Sequence, residues 1–200
     1  MMQKATHTGI IILAAGKASR MGTAKQLLPY AGSTLLQHTL DVCKTAKVDF
    51  VQLVVGAYAS AILPQLRTTA AVCTNPDWES GMASSICCGM QAALAKQPET
   101  STLIFVVADQ PHLNTMCIQQ LINTHQQSQQ PIEYSRYSKG FGTPVLFSKT
   151  FFPQLLQLTG DKGAKQLILQ NENSAAYIHF TNGDIDIDTE ADYRKLKEGA

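Results

Sequence analysis

Short apolar runs alternate along this chain with longer stretches in which apolar residues recur every three or four positions. Ile10 to Leu13, Phe50 to Val55, Ala71 to Thr74 and Thr102 to Ala108 have the length of strands. The nearly unbroken apolar character of the first and last of these suits strands buried on both faces, as parallel strands between helices are. Between them, Thr34-Leu-Leu-Gln37 has the spacing of a capping box and opens a helix that turns Leu35, Leu36, Leu40 and Cys43 to the core. A short helix closing near Pro64, a helix carrying Met90, Ala93 and Leu94, and a helix from Asn114 to about Gln127 fill the other intervals. Strands and helices in strict alternation with short links predict a parallel sheet covered by helices, with right-handed crossovers.

The pattern loosens after the polar Gln126-Gln-Ser-Gln-Gln130, a solvated helix end. Pro131 to Tyr137 alternates as a half-exposed strand does, and Gly142-Thr-Pro144 reads as a tight turn into the apolar strand Val145 to Phe147. A short helix around Phe151 to Leu158, a helix opening within Gly160 to Gln166 and a late strand from Ala175 to Phe180 follow. Then comes Asp184-Ile-Asp-Ile-Asp188; extended, it throws three carboxylates to one side and two isoleucines to the other. The last helix starts at Thr189 and packs through Tyr193 and Leu196. The length suits one α/β domain over residues 1–200, with a core from about residue 8 to about residue 197.

Charge narrows the function classes. Lys and Arg total 16 against 15 Asp and Glu, so no global field exists to hold nucleic acid or an anionic membrane. The five cysteines include no C-x-x-C pair and read as reduced, mostly buried thiols; adjacent Cys87 and Cys88 point apart on a helix and are not expected to bridge. No apolar run reaches signal-peptide or membrane-spanning length, and the expected location is the cytoplasm.

Chemistry concentrates between Gly9 and Pro29, GIIILAAGKASRMGTAKQLLP, where a buried strand ends in small residues and a glycine-bounded loop. Lys17, Arg20 and Lys25 share that loop with no acid among them, and Gly16 and Gly22 let backbone amides approach an anion. The guest this predicts is a polyphosphate. Five residues separate Gly16 from Gly22 and no lysine follows directly, so it is not a Walker loop; nor is there a G-x-G-x-x-G fingerprint. A second feature converges on the same chemistry: the apolar strand Thr102 to Ala108 ends in Asp109-Gln-Pro111, delivering one carboxylate to the carboxyl edge of the sheet. Mg²⁺ takes one or two carboxylates together with substrate phosphates, and Asp109 suits that role; the alternative is that it caps the next turn. Asp186, then Asp188, are the candidates for a second ligand, with Asp184 open and with capping of the last helix the alternative for Asp188.

Leu13-Ala-Ala-Gly-Lys-Ala-Ser-Arg-Met-Gly22 with Lys25-Gln-Leu-Leu28 closely resembles the signature of the nucleotidyltransferases that complete the molybdenum cofactor. Ala18 stands where that family has serine, with Ser19 beside it. Asn75-Pro-Asp-Trp-Glu-Ser-Gly-Met82, Asp109-Gln-Pro111, Gly160-Asp-Lys-Gly-Ala-Lys165 and Asp186-Ile-Asp-Thr189 match further family segments in family order, while Thr143 replaces the usual histidine between Gly142 and Pro144. The resemblance implies a Rossmann-like three-layer nucleotidyltransferase fold with a mostly parallel mixed sheet. It implies that Leu13, Ala14, Ala15, Gly16, Ser19, Arg20, Gly22 and Lys25 hold the nucleotide phosphates and that Gly81, Ser84 and Ser85 contact the base. For the serines the alternative is helix capping, and Trp78 is either a core lid or a substrate contact.

Gly142, Pro144, Asp161, Lys162 and Lys165 are implied at the acceptor, the two lysines being otherwise solvated helix surface. The metal would be Mg²⁺, with Mn²⁺ as an alternative, on Asp109, Asp186 and Asp188, and Lys25, Arg20 and Asp109 would carry catalysis. The implied reaction joins CTP to molybdopterin, and Ala15 favours CTP over GTP because the guanylyl enzymes tend to carry glycine there. Transient contact with a molybdoenzyme or its maturation chaperone is also implied. Two further readings are the same chemistry with GTP or on another small phosphate, such as a sugar or polyol phosphate, and a carrier that binds nucleotide or molybdopterin without turnover.

Overall fold

The fold was analysed on a computed structural model that describes residues 6–17, 21–161 and 163–198. Among these, strands β1 (Thr8–Ala14), β2 (Pro29–Tyr30) and β3 (Ser33–Thr34) precede helix α1 (Leu35–Thr45) and strand β4 (Phe50–Val55). Helix α2 (Ala59–Ile62), strand β5 (Ala71–Thr74), helix α3 (Met82–Lys96), strand β6 (Thr102–Val107) and helix α4 (Thr115–Ser128) complete the regular half. Strands β7 (Ile132–Arg136) and β8 (Phe141–Ser148), helices α5 (Phe152–Leu156) and α6 (Lys165–Gln170), strand β9 (Ala175–His179) and helix α7 (Glu190–Glu198) follow.

Seven strands form one sheet in the order β5-β4-β1-β6-β8-β7-β9. From β5 to β6 every pairing is parallel, and β8 then runs antiparallel to both β6 and β7. The result is a three-layer α/β fold with a mostly parallel mixed sheet. Alternation along β1 shows why: Ile10 and Ile12 are buried with Leu36, Leu40, Ile118 and Leu121 of α1 and α4, while Ile11 and Leu13 are buried with Ile86, Met90, Leu155 and Ile168 of α3, α5 and α6. A strand with both faces covered needs apolar residues at every position, which is the run the sequence carries.

Two packing details set the site. Gly89 lets α3 lie close on the sheet, since a Cβ there would stand 2.6 Å from Val54 Cγ2 and 2.7 Å from Ile11 Cγ2. The amino end of α3 is thereby held at the carboxyl ends of β1 and β4. Because β8 is antiparallel to β6, with Phe105 opposite Val145, its amino end reaches the same edge of the sheet.

Several local expectations need correction. Gly142-Thr-Pro144 is not a tight turn but lies within β8, where the register with β7 shifts so that Tyr134 faces Val145 and Ser135 faces Gly142. Thr143 and Pro144 are the extra residues of this bulge, held by Ser135 Oγ donating to the Pro144 carbonyl at 2.7 Å and by Tyr137 Oη donating to the Thr143 carbonyl. At α1 only half of the capping box forms: Thr34 Oγ1 accepts from the Gln37 N–H, but the Gln37 side chain donates to Asp41 and the Arg67 carbonyl. The last helix buries no residue; Tyr193 instead hydrogen-bonds the Pro29 carbonyl at 2.7 Å. Cys43 and Cys117 are buried, whereas Cys73, Cys87 and Cys88 are only half-buried, and all five thiols are free. No helix among the described residues is long and apolar enough to cross a membrane.

Candidate active site

A cleft of about 730 Å³ opens over the carboxyl ends of β1 and β6. Its floor is Leu13 to Lys17; one wall is Trp78, Glu79, Gly81, Met82 and Ser85, and the other is Asp109, Asp186 and Asp188. This is where an open parallel sheet presents backbone amides and strand-end side chains to a ligand.

Lys25 stands at the centre. It opens a single turn of 3-10 helix, Lys25–Leu27, and the next residue, Gln26, is buried and donates through Nε2 to the carbonyls of Ala14 at 3.0 Å and Gly16 at 3.2 Å. Gln26 therefore ties the turn to the exit of β1 and leaves Lys25 facing the strand ends. Lys25 Nζ lies 2.6 Å from Asp109 Oδ2 and 2.8 Å from Asp188 Oδ1. Burial pulls the Lys25 pKa down, but the charges of and hydrogen bonds to Asp109 and Asp188 outweigh it and raise the value, so the ammonium is charged at neutral pH.

The second acidic segment reaches Asp109 by backbone pairing. The Ile187 N–H donates to the Asp109 carbonyl at 2.9 Å and the Ile187 side chain is fully buried, which leaves Asp186 and Asp188 on the cleft side. Buried Gln110 supports this arrangement: its Nε2 donates to the Gly183 carbonyl at 2.7 Å and its Oε1 accepts from Thr143 Oγ1 at 3.1 Å. Asp186 carries the electrostatic cost. Loss of water around its carboxyl, then the charges of Asp109 and Asp188, push its pKa up to about 6 despite Lys25 and a hydrogen bond from Gln110.

A narrower pocket of about 330 Å³ joins the cleft through Leu13, Met82, Asp109, Asp161 and Asp186. Its far end is formed by Tyr137, Phe141, Gly142, Thr143 and Lys165, with Lys165 Nζ 4.8 Å from the Phe141 ring centroid. Gly81 joins the two walls. Its φ of +96° suits glycine, and a Cβ there would collide with Asp161 Oδ1 and the Gly160 carbonyl, so the Trp78–Gly81 turn meets Gly160 and Asp161 at van der Waals distance.

Residues 10–175 match the family model of the MobA-like NTP transferase domain. The chain belongs to the MobA-like NTP transferase family. Purine catabolism protein PucB of Bacillus subtilis is 29% identical over 94% of this chain and 94% of its own length. Nicotine blue oxidoreductase of Paenarthrobacter nicotinovorans is 29% identical over 80% of each chain. The solved structure of Rv0371c from Mycobacterium tuberculosis superposes with a TM-score of 0.84 at 32% identity, covering 98% of this chain and all of that one; a further structure of Rv0371c is a complex with manganese. By family and by fold this MobA-like protein is a nucleotidyltransferase.

The MobA-like cleft gathers most of the residues singled out in the sequence. Leu13, Ala14, Ala15, Gly16, Lys25, Gly81, Ser85, Asp109, Asp161, Asp186 and Asp188 line it, and Gly142 and Lys165 line the adjoining pocket. Ser19, Arg20 and Lys162 lie outside the described residues. Gly22, at φ +66°, is a turn residue and is not among the lining residues. Ser84 braces the wall from behind and does not cap α3, whose N-cap is Gly81: its Oγ shares its proton between the carbonyls of Gly81 and Asp77 and accepts from Asn75. Pro144 is buried in the bulge, and Trp78 packs on the core and lines the cleft.

The three carboxylates of Asp184 to Asp188 do not share a face. Asp184 sits in a turn and lines a second cleft with Tyr30, His112 and Lys195, which Asp186 also borders, but it does not line the main cleft, and Ile185 is exposed. Thr189 rather than Asp188 caps α7, in a reciprocal box with Asp192. Among the described residues no three His, Cys, Asp or Glu side chains are grouped to hold a metal ion; Asp109 and Asp188 converge on the Lys25 ammonium instead. Gln26 and Gln110 are the supporting residues that the sequence reading did not single out. The only signal was their position, each directly after a charged residue of a matching motif.

Because folding raises the pKa of Asp186, ionising it opposes folding above pH 4 and most fully above about pH 6. Asp186→Asn is therefore expected to raise Tm by a few degrees at pH 7.5 in the absence of divalent metal. The gain should shrink as pH falls through about 6 and vanish only well below the ordinary value of 3.8, where the wild-type carboxyl is protonated in both states. A Tm difference that is unchanged across this range in thermal melts would contradict the assignment.

Proposed function

We propose that the protein transfers the cytidylyl group of CTP to the terminal phosphate of molybdopterin, releasing pyrophosphate, in the cytoplasm. The observation that carries this reading is the convergence of Lys25, Asp109, Asp186 and Asp188 where the 730 Å³ cleft meets the 330 Å³ pocket. Donor and acceptor have separate compartments, and a cation stands near their junction. CTP would occupy the larger one, its base against Ala15, Gly81 and Ser85 and its phosphates along the Gly16–Lys17 loop. Ala15 packs on Gly56, where a Cβ would stand 2.7 Å from the Ala15 carbonyl, so the wall beside Ala15 has little room to yield to a larger base. One methyl group of this kind is worth roughly 1–3 kcal/mol of discrimination.

An acceptor phosphate oxygen attacks the α-phosphorus in line as the bond to the β-phosphate oxygen breaks and pyrophosphate leaves. A phosphate monoester with a second pKa near 6 is already largely dianionic at neutral pH, so no side chain needs to remove a proton. Catalysis then rests on alignment and charge. Lys25, rigidly seated through Gln26, faces the negative charge that builds on the α-phosphoryl oxygens. Gln110 keeps Asp186 beside Asp109.

The donor set fits a divalent cation. Among the described residues Asp109 Oδ1 is buried with no hydrogen-bond partner, and burial beside the charge of Asp109 already raises the pKa of Asp186. Asp109 and Asp186, with Asp188 as a further candidate, would hold Mg²⁺ or the Mn²⁺ for which the Rv0371c complex provides precedent. When bound, the ion neutralises phosphate charge and stabilises the leaving group.

The test is pyrophosphate release with molybdenum-loaded molybdopterin and Mg²⁺, with CTP, GTP, ATP and UTP side by side. Dominant release with CTP, abolished in Asp109→Ala, is the expected result. Dominant GTP would preserve the mechanism and overturn the role of Ala15. Release only with sugar or polyol phosphates would replace the acceptor, and CTP binding without release under any condition would establish a carrier.

A further inference from the structure

A pair of thiols stands at the base of the Trp78 wall, outside the chemistry above. Cys73 lies on β5 and Cys88 on α3, and their sulfurs are 3.7 Å apart, in van der Waals contact. Both are half-buried. β5 is the edge strand, paired only with β4, so it has freedom to yield the additional approach that a bond of about 2.05 Å requires. The other cysteines are placed elsewhere: Cys87 faces the Leu155 and Leu156 carbonyls at 3.6 and 3.4 Å, and Cys43 and Cys117 are buried on the opposite face of the sheet.

The segment enclosed by the pair, Thr74 to Cys87, carries Trp78, Glu79, Gly81, Met82 and Ser85, the whole of one cleft wall. Asn75 braces that segment internally, donating to Ser84 Oγ at 2.8 Å and Ser85 Oγ at 3.1 Å. We propose that Cys73 and Cys88 form a reversible disulfide whose closure fixes this wall of the cleft. With oxidised glutathione as oxidant, one protein thiolate attacks the glutathione disulfide, expels a glutathione thiolate and forms a mixed disulfide. The second protein thiolate attacks the protein sulfur of that bond and expels the other glutathione. Two protein thiols each lose a proton, and their two electrons reduce glutathione disulfide to two glutathione thiols. Burial, reinforced by Cys88, pushes the Cys73 thiol up to about 12, so exchange is slow at neutral pH and faster in alkali.

The experiment incubates the full chain with oxidised glutathione near pH 8.5 and maps disulfides by peptide mass spectrometry. A Cys73–Cys88 link is expected, with three of the five thiols left free and a rise in Tm of roughly 5–10 °C that dithiothreitol reverses. Cys73→Ser and Cys88→Ser should abolish the link and the rise; Cys87→Ser should keep both. A glutathione adduct that never closes, or a link through Cys87, overturns the pairing. The effect on the wall rests on the nucleotide reading and is measured separately, from Trp78 fluorescence during CTP titration. A Kd that moves at least about threefold on oxidation supports it, and a linked protein whose Kd is unchanged overturns it. Failure to bind CTP in either redox state would count against the nucleotide reading, while the mass map and Tm still decide the pair.

Discussion

Lys25→Ala is expected to lower turnover at least about 100-fold at saturating CTP, the scale set by losing one preorganised donor at a site of developing charge. The side chain is only 16% exposed and lies between Asp109 and Asp188, so its loss removes a cation that water replaces poorly. Its position is set by the Gln26 amide bonds to Ala14 and Gly16, and these remain in the variant. Base contacts also remain, so the loss should fall on kcat rather than on CTP affinity. Lys25→Arg should recover little, because a planar fork does not reproduce a compact ammonium between two carboxylates. Near-full rate for Lys25→Ala in single-turnover measurements would remove the residue from the chemistry.

The largest effect on stability is expected far from the cleft. Glu133 on β7 is fully buried, and its carboxylate is met by His125 Nδ1 at 3.0 Å and Ser128 Oγ at 3.0 Å, both from the last turns of α4. The hydrogen bond to Glu133, opposed by burial and aided by the carboxylate's charge, raises the pKa of His125 above its ordinary 6.5. His125→Leu leaves that carboxylate without its cation and should cost about 3–5 kcal/mol, a fall in Tm of roughly 10 °C or more. Adding Glu133→Gln should restore much of the loss, since the uncompensated charge is then gone. The sign with pH follows from the raised value: the stabilisation is complete below pH 6.5 and fades as pH rises through the folded pKa. A loss below about 1 kcal/mol in denaturant titrations would show that the pair is replaceable by water.

These two sites differ in how far the sequence revealed them. Lys25 was legible because a cationic, glycine-bounded loop directly after a buried strand has few structural uses. Asp109 was legible because an acid that ends an all-apolar strand falls on the carboxyl edge of the sheet. The His125–Glu133 pair was not, since eight residues and a change from helix to strand separate the partners and nothing local marks either as charged in the core. The bulge at Thr143-Pro144 was hidden for a related reason: Ser135 and Tyr137 of the neighbouring strand hold it, while proline and glycine alone suggest a turn. The division of labour among Asp184, Asp186 and Asp188 was only half visible. Alternation separates acids from isoleucines in an extended strand, but the turn through Asp184 takes the first acid out of the pattern.

By itself, then, the sequence determined the alternating α/β plan, the residues on both faces of β1 and β6, and the cationic and acidic partners of the cleft. These follow from periodicity and residue type, which act locally. Only the tertiary structure decided that Lys25 rests between Asp109 and Asp188, that Gln26 and Gln110 hold them there, and that Cys73 meets Cys88. Each of those depends on crossovers that bring distant segments to one edge of the sheet, and the spacing of residues along the chain does not encode that approach.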